Sequence, residues 1–166
     1  IETQVARCIE IIGRLLDATR RVPGEPTAVE LNGLVRDTAE LVRPGLARAR
    51  LTLDVRTEPG LPAVLGQRDQ LQQVILNLLT NAIDATPPDG RVEMTTRTRP
   101  AQDEVEIAIA DTGPGVSPAD RKHIFEPFFS TKEAGHGTGL GLFITAEILR
   151  EHKGRIDLDA DEGRGA

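Results

Sequence analysis

The segment QRDQLQQVILNLLTNAIDAT, residues 67–86, is the part of the sequence on which the fold prediction depends. Its apolar residues recur at intervals of three and four, which predicts an amphipathic helix with one face on the core. The apolar stripe holds Leu71, Val74, Ile75, Leu78, Leu79 and Ala82, and a second, polar stripe holds Gln73, Asn77, Asn81 and Asp84. Because Asn is a mediocre helix former, a solvent-facing stripe would favour Glu, Lys or Arg. The polar stripe is therefore either a ligand-binding face or a hydrated face that carries its asparagines by accident.

The other patterns in the sequence predict an α+β fold, a two-layer sandwich with a mixed, mainly antiparallel sheet and helices on one face. Residues 29–46 are expected to form a helix that ends near Pro44 or one turn later, and a further helix is expected from about Thr138 to His152. Alternating residues predict strands at 51–57, 63–66, 91–99, 104–111 and 154–161. The strands at 91–99 and 104–111 are expected to form a hairpin. Helices and strands do not alternate regularly, which argues against a parallel doubly wound fold.

Composition limits the classes of function. The chain has 166 residues and a formal net charge of −6, so it fits one domain with a helical attachment and lacks the basic patch of a nucleic-acid-binding protein. No apolar run approaches the roughly 20 residues of a membrane helix. We therefore expect a cytoplasmic segment without membrane contact, although the full-length protein could be membrane-anchored. The single cysteine, Cys8, is expected to be a small core residue.

The N-terminal residues 1–22 show a heptad-like apolar seam. Its positions are Val5, Cys8, Ile12, Leu15 and Thr19. Such a seam is typical of a helix in a bundle, and we favour a dimer bundle over a helix packed on its own domain. Two prolines and a glycine then predict a linker at residues 23–27.

Three patterns carry candidate chemistry, and the first is the pair of asparagines. An Asn oxygen is a neutral, hard ligand suited to a Mg²⁺ ion that takes its other ligands from water and phosphates. The second is VEIAIADTGPGV, where a strand ends in Asp111 and turns on Gly113 and Gly115. A carboxylate there can accept the exocyclic amine of adenine and would reject the carbonyl of guanine. A plain Asp-Gly turn and the active-site loop of a dimeric aspartic protease are the alternatives.

The third pattern is GHGTGLGLF, with glycines at 135, 137, 139 and 141 leading into a helix. Backbone N–H groups at such a helix start bind polyphosphates, but the Lys of a Walker loop and a preceding βαβ strand are both missing. The roughly twenty irregular residues before it predict a lid. Lys132 would be a mobile cation near the phosphates, and Phe125, Phe128 and Phe129 would form an apolar hinge cluster.

Taken in order, NLLTNAIDA, DTGPGV, FEPFF and GTGLGL resemble the N, G1, F and G2 boxes of bacterial sensor histidine kinases. These belong to the GHKL superfamily with the Bergerat ATP-binding fold, and the wording NAIDA with FFSTK is most similar to kinases of the nitrogen-regulator and dicarboxylate-sensor type. The resemblance implies ATP and Mg²⁺ as cofactors, with Asn81 as the metal ligand. The residues it assigns to ATP binding are Asn81, Asp84, Asp111, Gly113, Gly115, Lys132, Gly137, Thr138, Gly139, Leu140 and Gly141. Those it assigns to phosphoryl transfer are Asn77, Asn81 and Lys132.

The same resemblance implies a protein-histidine kinase whose catalytic domain spans residues 28–166, with its last strand missing. Asn77 stands where related ATPases carry a Glu that activates water, so hydrolysis should be slow. The phosphoacceptor box is absent, and His123, His136 and His152 are assigned surface or lid roles. Residues 1–22 resemble the second helix of the dimerisation and histidine-phosphotransfer bundle. The implied partners are that bundle, a second copy of the full-length chain and a response-regulator receiver domain; a GHKL ATPase or a nucleotide-binding scaffold is the alternative.

Overall fold

The computed structural model describes residues 25–132, 138–159 and 165. The predicted bundle helix at 1–22, His136 and Gly137 lie outside the described residues. The strands are β1 (Thr27–Val29), β2 (Thr52–Thr57), β3 (Val64–Gly66), β4 (Arg91–Arg99) and β5 (Glu104–Asp111). The helices are α1 (Leu31–Ala49), α2 (Arg68–Ala85) and α3 (Gly141–Glu151), with short 3-10 turns at Pro100–Gln102 and Asp120–Lys122. None of the described helices is long and apolar enough to cross a membrane.

The main sheet has the strand order β2-β4-β5 within the described residues, and β1 and β3 form a separate antiparallel pair. β2 runs parallel to β4, whereas β4 and β5 form the predicted antiparallel hairpin. The hairpin register places Arg99 opposite Glu104 and Val92 opposite Asp111. Together with the helices on the sheet this confirms the predicted α+β class with a mixed sheet.

Helix α2 contributes to two apolar clusters, which explains why its apolar stripe is wide. Ile75 and Leu79 are almost fully buried against α1 and the sheet, in the same cluster as Val92 and Met94. Val74, on the flank of the helix, packs instead in a second cluster with α3, whose other buried members are Leu140, Ile144 and Ile148. The polar stripe of α2 therefore runs along the side on which α3 is seated.

Helix α1 continues past Pro44 to Ala49, somewhat further than the sequence predicts. Pro44 removes the hydrogen bond to the carbonyl of Glu40. Both residues are exposed, so water can satisfy that carbonyl and the helix survives. The helix begins with Glu30 as N-cap, whose carboxylate accepts from the backbone N–H groups of Asn32 and Gly33.

One predicted helix start and one predicted strand near the C-terminus are wrong. Helix α3 begins at Gly141 and not at Thr138, because Gly139 has a φ of +66° and cannot be helical. The expected strand at 154–161 is absent from its described part, residues 154–159. A strand needs a backbone ladder on its neighbour, whereas this segment contacts β5 through a side-chain ion pair between Arg155 and Glu104. Arg155 also pairs with Asp157 of its own segment.

Candidate functional site

The predicted site residues lie in an open cleft of about 1790 Å³ that runs along α2 and β5 and is bounded further by the loop after β5, the start of α3 and residues 152–159. The predicted residues that line it are Asn77, Asn81, Asp84, Asp111, Gly115, Lys132, Thr138, Gly139 and Gly141. Two others lie behind its wall: Gly113 is buried in the turn after β5, and Leu140 is buried in the α2–α3 cluster. Leu140 could therefore serve a ligand only through its backbone.

Asn77 joins α2 to α3. Its amide nitrogen donates to the carbonyl of Gly141 over 3.3 Å and to the hydroxyl of Thr145 over 3.4 Å. Both contacts use Nδ2, and the carbonyl oxygen Oδ1 takes part in neither. This structural role partly answers why an Asn stands in the stripe, and Thr145, which is fully buried, is a contact that sequence analysis missed.

Asn81 lies one turn further along α2 and faces the beginning of α3. A side chain built on Gly141 would bring its Cβ to 4.0 Å from Nδ2 of Asn81 and 4.0 Å from Cγ of Asn77. Helix α3 starts without a side-chain cap on Leu140 and without an acidic residue in its first turn. The start of α3, with the positive end of its dipole, therefore lies close to the two asparagines, and such surroundings suit an anion.

Asp111 is fixed at the junction between the sheet and α2. It faces the helical layer because directly opposed residues share a face, and its partner Val92 is fully buried in the core. Its Oδ1 accepts from the backbone N–H of Gly113 over 2.7 Å, an Asx turn. A Cβ on Gly113 would lie 2.7 Å from the carbonyl oxygen of Ala85, so only glycine lets this turn abut the end of α2.

A backbone pairing connects the loop after β5 to the start of α3. The N–H of Phe128 donates to the carbonyl of Gly139 over 2.9 Å, and both residues have φ values near +66°. A side chain on Gly139 would bring its Cβ to 2.7 Å from Cα of Phe128, which makes glycine obligatory there. The expected cluster of three phenylalanines is wrong in one member, since this left-handed turn leaves Phe128 61% exposed. Phe129 contacts the ring of His123 instead, with centroids 5.9 Å apart.

Lys132, in the loop after β5, forms an ion pair with α2. Lys132 Nζ lies 2.6 Å from Oδ2 of Asp84, in the last turn of the helix. Asp84 and Lys132 thus lie together in the wall of the cleft.

Comparison with known proteins agrees with this geometry. Residues 66–166 match the family model described as histidine kinase-, DNA gyrase B-, and HSP90-like ATPase. The chain belongs to this family. The sensory histidine kinase/phosphatase NtrB of Rhizobium leguminosarum bv. phaseoli is 34% identical over 173 residues, which cover 95% of this chain and 44% of the relative.

Two solved structures are similar to the chain. ShkA, crystallised as the full-length protein in complex with AMPPNP, superposes with a TM-score of 0.82 at 29% identity, covering 96% of this chain and 34% of that one. Histidine kinase ThkA in complex with the response regulator protein TrrA gives a TM-score of 0.73 at 25% identity, covering 91% and 42%. The chain spans less than half of the length of each of these relatives, from 18% for sporulation kinase E of Bacillus subtilis to 44% for NtrB. The predicted likeness to sensor histidine kinases of the GHKL superfamily is confirmed, and NtrB agrees with the nitrogen-regulator subtype.

One residue of this histidine kinase-like domain has a role that the sequence did not suggest. In contrast to the expected surface or lid role, His152 is half-buried at the end of α3. Its Nε2 accepts from the N–H of Gln67 over 3.0 Å, which leaves Nδ1 to donate to the carbonyl of Ile148 over 2.8 Å. A Cβ on Gly66 would collide with the ring at 2.7 Å. His152 therefore fastens the end of α3 to the beginning of α2.

A polar network stabilises the family domain on the side of α1. Asn32 donates to the carbonyl of Glu58 and accepts from the hydroxyl of Thr96, both within 2.8 Å. The backbone N–H and the hydroxyl of Thr98 donate to the carboxylate of Glu58 and hold its pKa below the usual value. These residues fix α1 on the sheet and do not line the cleft.

Proposed function

We propose that this chain is the ATP-binding catalytic domain of a protein-histidine kinase of a two-component system. The observation that carries the proposal is the convergence on one cleft of Asp111, Asn81 and the N-terminus of α3. These three groups differ in chemistry. Asp111 matches the adenine base, Asn81 the metal ion and the N-terminus of α3 the phosphates of one Mg-ATP molecule.

Asp111 would recognise adenine. Its Oδ1 is held by Gly113, so the orientation of the carboxylate is set before ligand arrives. A carboxylate accepts from the exocyclic amine of adenine, whereas guanine would present a carbonyl to it. Gly115 lines the cleft without a side chain and has a φ of +72°, and Gly113 lets the turn abut the end of α2 behind the wall.

The residues present fit a Mg²⁺ ion that enters with the nucleotide. Within residues 25–132 and 138–159 no group of three or more His, Cys, Asp or Glu side chains could hold a metal by itself. Mg²⁺ commonly keeps several waters and takes phosphate oxygens with only one or two protein ligands. Asn81 would be that ligand, with the oxygen of Asn77 beside it, and the ion would neutralise phosphate charge when bound.

Phosphoryl transfer suits this site better than hydrolysis. Asn77 occupies the position at which a general base would act on water, and an amide cannot accept a proton there. Its nitrogen is further committed to Gly141 and Thr145, which fixes the side chain. Neutral imidazole needs no such base because it is already a nucleophile, so positioning and charge stabilisation can carry the step. Lys132 and the N–H groups of residues 138–141 would supply that stabilisation.

The acceptor histidine and the relay partner would lie outside this domain. We infer that residues 28–166 form the catalytic domain and that residues 1–22 form the end of the second helix of a bundle. This bundle would dimerise the full-length kinase and would carry the phosphorylated His on its first helix. The ThkA complex with TrrA supports a response regulator as the next acceptor. ATP as the phosphoryl donor agrees with a cytoplasmic location.

Calorimetric titration tests the proposal. The chain should bind AMPPNP, the GTP analogue should bind far more weakly, and withdrawal of Mg²⁺ should weaken AMPPNP binding. Phosphate release from ATP should stay near background, while a supplied histidine-phosphotransfer bundle should become labelled from γ-labelled ATP. Absence of AMPPNP binding would refute the nucleotide site, and sustained phosphate release would favour the ATPase alternative.

A further inference from the structure

Asp84 occupies an unfavourable position for an acidic residue. It lies in the last turn of α2, where the helix dipole carries negative charge, and that turn contains no basic residue. Its counter-ion is Lys132, which is 48 positions away in sequence and 2.6 Å away in space. A residue that breaks a local preference and depends on a distant partner is a candidate for a functional role.

The ion pair lies in the cleft and close to the candidate phosphate region. Asp84 is three positions after Asn81, so about one helical turn separates it from the proposed metal ligand. Lys132 also lines the cleft, at the end of a flexible four-carbon stem that allows its ammonium group to change partners. Phosphates bound between Asn81 and α3 would thus offer Lys132 a second set of negative charges.

The pair is weak enough to be exchanged. The side chains of Lys132 and Asp84 are 34% and 55% exposed, and an exposed ion pair of this kind changes an equilibrium constant by about five-fold at most. An ammonium group needs no fixed fork geometry, in contrast to a guanidinium group. A triphosphate carries several negative charges where the pair has one carboxylate, so transfer of Lys132 to the phosphates is favourable.

We propose that Asp84 is a resting counter-ion for Lys132 and acts on the nucleotide only through it. Without nucleotide, Lys132 pairs with Asp84; with a triphosphate bound, it pairs with phosphate oxygens. Binding of the phosphates then costs the free energy of the Lys132–Asp84 pair, so Asp84 lowers the affinity for nucleotides. Binding of the base is unaffected by Asp84. This inference rests on the proposed function, and it replaces the direct contact between Asp84 and ATP that the sequence resemblance implies.

A double-mutant cycle tests it. AMPPNP with Mg²⁺ is titrated by calorimetry at low ionic strength into the wild type, Asp84→Asn, Lys132→Met and the double variant. Because nucleotide binding to Asp84→Asn does not require an ion pair to break, this variant should bind AMPPNP tighter by up to about five-fold, which corresponds to about 1 kcal/mol. Lys132→Met should bind it more weakly, and in that background Asp84→Asn should give a smaller gain. Adenosine, which has no phosphate, should bind the Asp84→Asn variant and the wild type equally.

The outcomes separate the mechanisms. An equal gain in both backgrounds would mean that Asp84 simply repels the phosphates, and no gain or a loss would mean that the pair persists or that Asp84 contacts the ligand; either overturns the proposal. Asp37→Asn is the matched control, because Asp37 pairs with Arg68 at the same 2.6 Å and outside the cleft. An equal gain there would assign the effect to net charge and also overturn it. Failure of the wild type to bind AMPPNP would instead refute the proposed function itself.

Discussion

Replacement of Asp111 by Asn tests the adenine assignment with a change of one atom. The Asn oxygen can keep the hydrogen bond from Gly113, which now measures 2.7 Å to Oδ1. The amide nitrogen then stands where the second carboxylate oxygen stood and opposes the adenine amine, donor against donor. A hydrogen bond to a charged group contributes about 1.5–3 kcal/mol, so AMPPNP should bind about 10- to 150-fold more weakly.

The same substitution should change the preference between bases. Inosine triphosphate carries a carbonyl in place of the amine, so the Asn amide can donate to it, whereas the wild-type carboxylate repels it. Competition titrations should therefore show the wild type preferring ATP and Asp111→Asn losing or inverting that preference. Asp89→Asn, which removes an exposed carboxylate paired with Arg50, should change neither value. Weakened binding of both nucleotides with an unchanged ratio would refute base recognition by Asp111.

Three further predictions follow from particular contacts. Gly139→Ala places a Cβ at φ +66° within 2.7 Å of the preceding loop and should reduce AMPPNP affinity more than ten-fold by titration. Gly45→Ala, where nothing lies within 4 Å of the added Cβ, should instead stabilise its helix by about 0.5–1 kcal/mol. Equal effects of the two variants on AMPPNP affinity would contradict the role of Gly139. His152→Ala should lower the free energy of unfolding in urea by about 1–3 kcal/mol because it strands a backbone N–H, and exposed His123→Ala should change it by less than about 0.5 kcal/mol. Burial raises the pKa of Glu106, but its hydrogen bonds and ion pairs with Arg97 and Arg99 outweigh this and hold the pKa below its usual value. The ionised carboxylate therefore stabilises the fold above the pKa of an unfolded Glu, about 4.3, and this contribution is lost as pH falls through the folded value. Urea unfolding from about pH 6 to about pH 3 should accordingly lose less stability in Glu106→Gln than in the wild type, and parallel curves would exclude this contribution.

Local patterns were sufficient to predict most elements of the fold. The stripe of α2 has a period that only a helix satisfies, and the alternation of β4 and β5 around a short turn specifies their hairpin. Asp111 followed by glycines at the end of a strand likewise identifies a place where the backbone can approach a ligand. Each of these signals lies within about twenty residues, which is the range over which sequence spacing determines geometry.

The contacts that escaped prediction all join distant segments. Asn77 reaches Gly141 across 64 positions, and Gln67 reaches His152 across 85. Neither the amide of Asn77 nor the imidazole of His152 carries a local mark that distinguishes a packing role from a ligand role. The exposed Phe128 escaped for a related reason, since the pairing of its backbone with Gly139 overrides the tendency of an aromatic ring to be buried.

The arrangement of α3 connects these contacts to nucleotide binding. α3 packs on α2 through its own small apolar cluster, is fastened at its end by His152, and meets the polar stripe of α2 at its beginning through Asn77. The site therefore lies at an interface between two helices whose remaining side is the open cleft. A ligand that binds Asp111 at one end and the N-terminus of α3 at the other would bridge the sheet, the loop and α3, and so stabilise their arrangement. In the proposed site Asn77 would thus serve packing and ligand binding at once, since its amide nitrogen contacts α3 while its oxygen would be available to the cation beside Asn81.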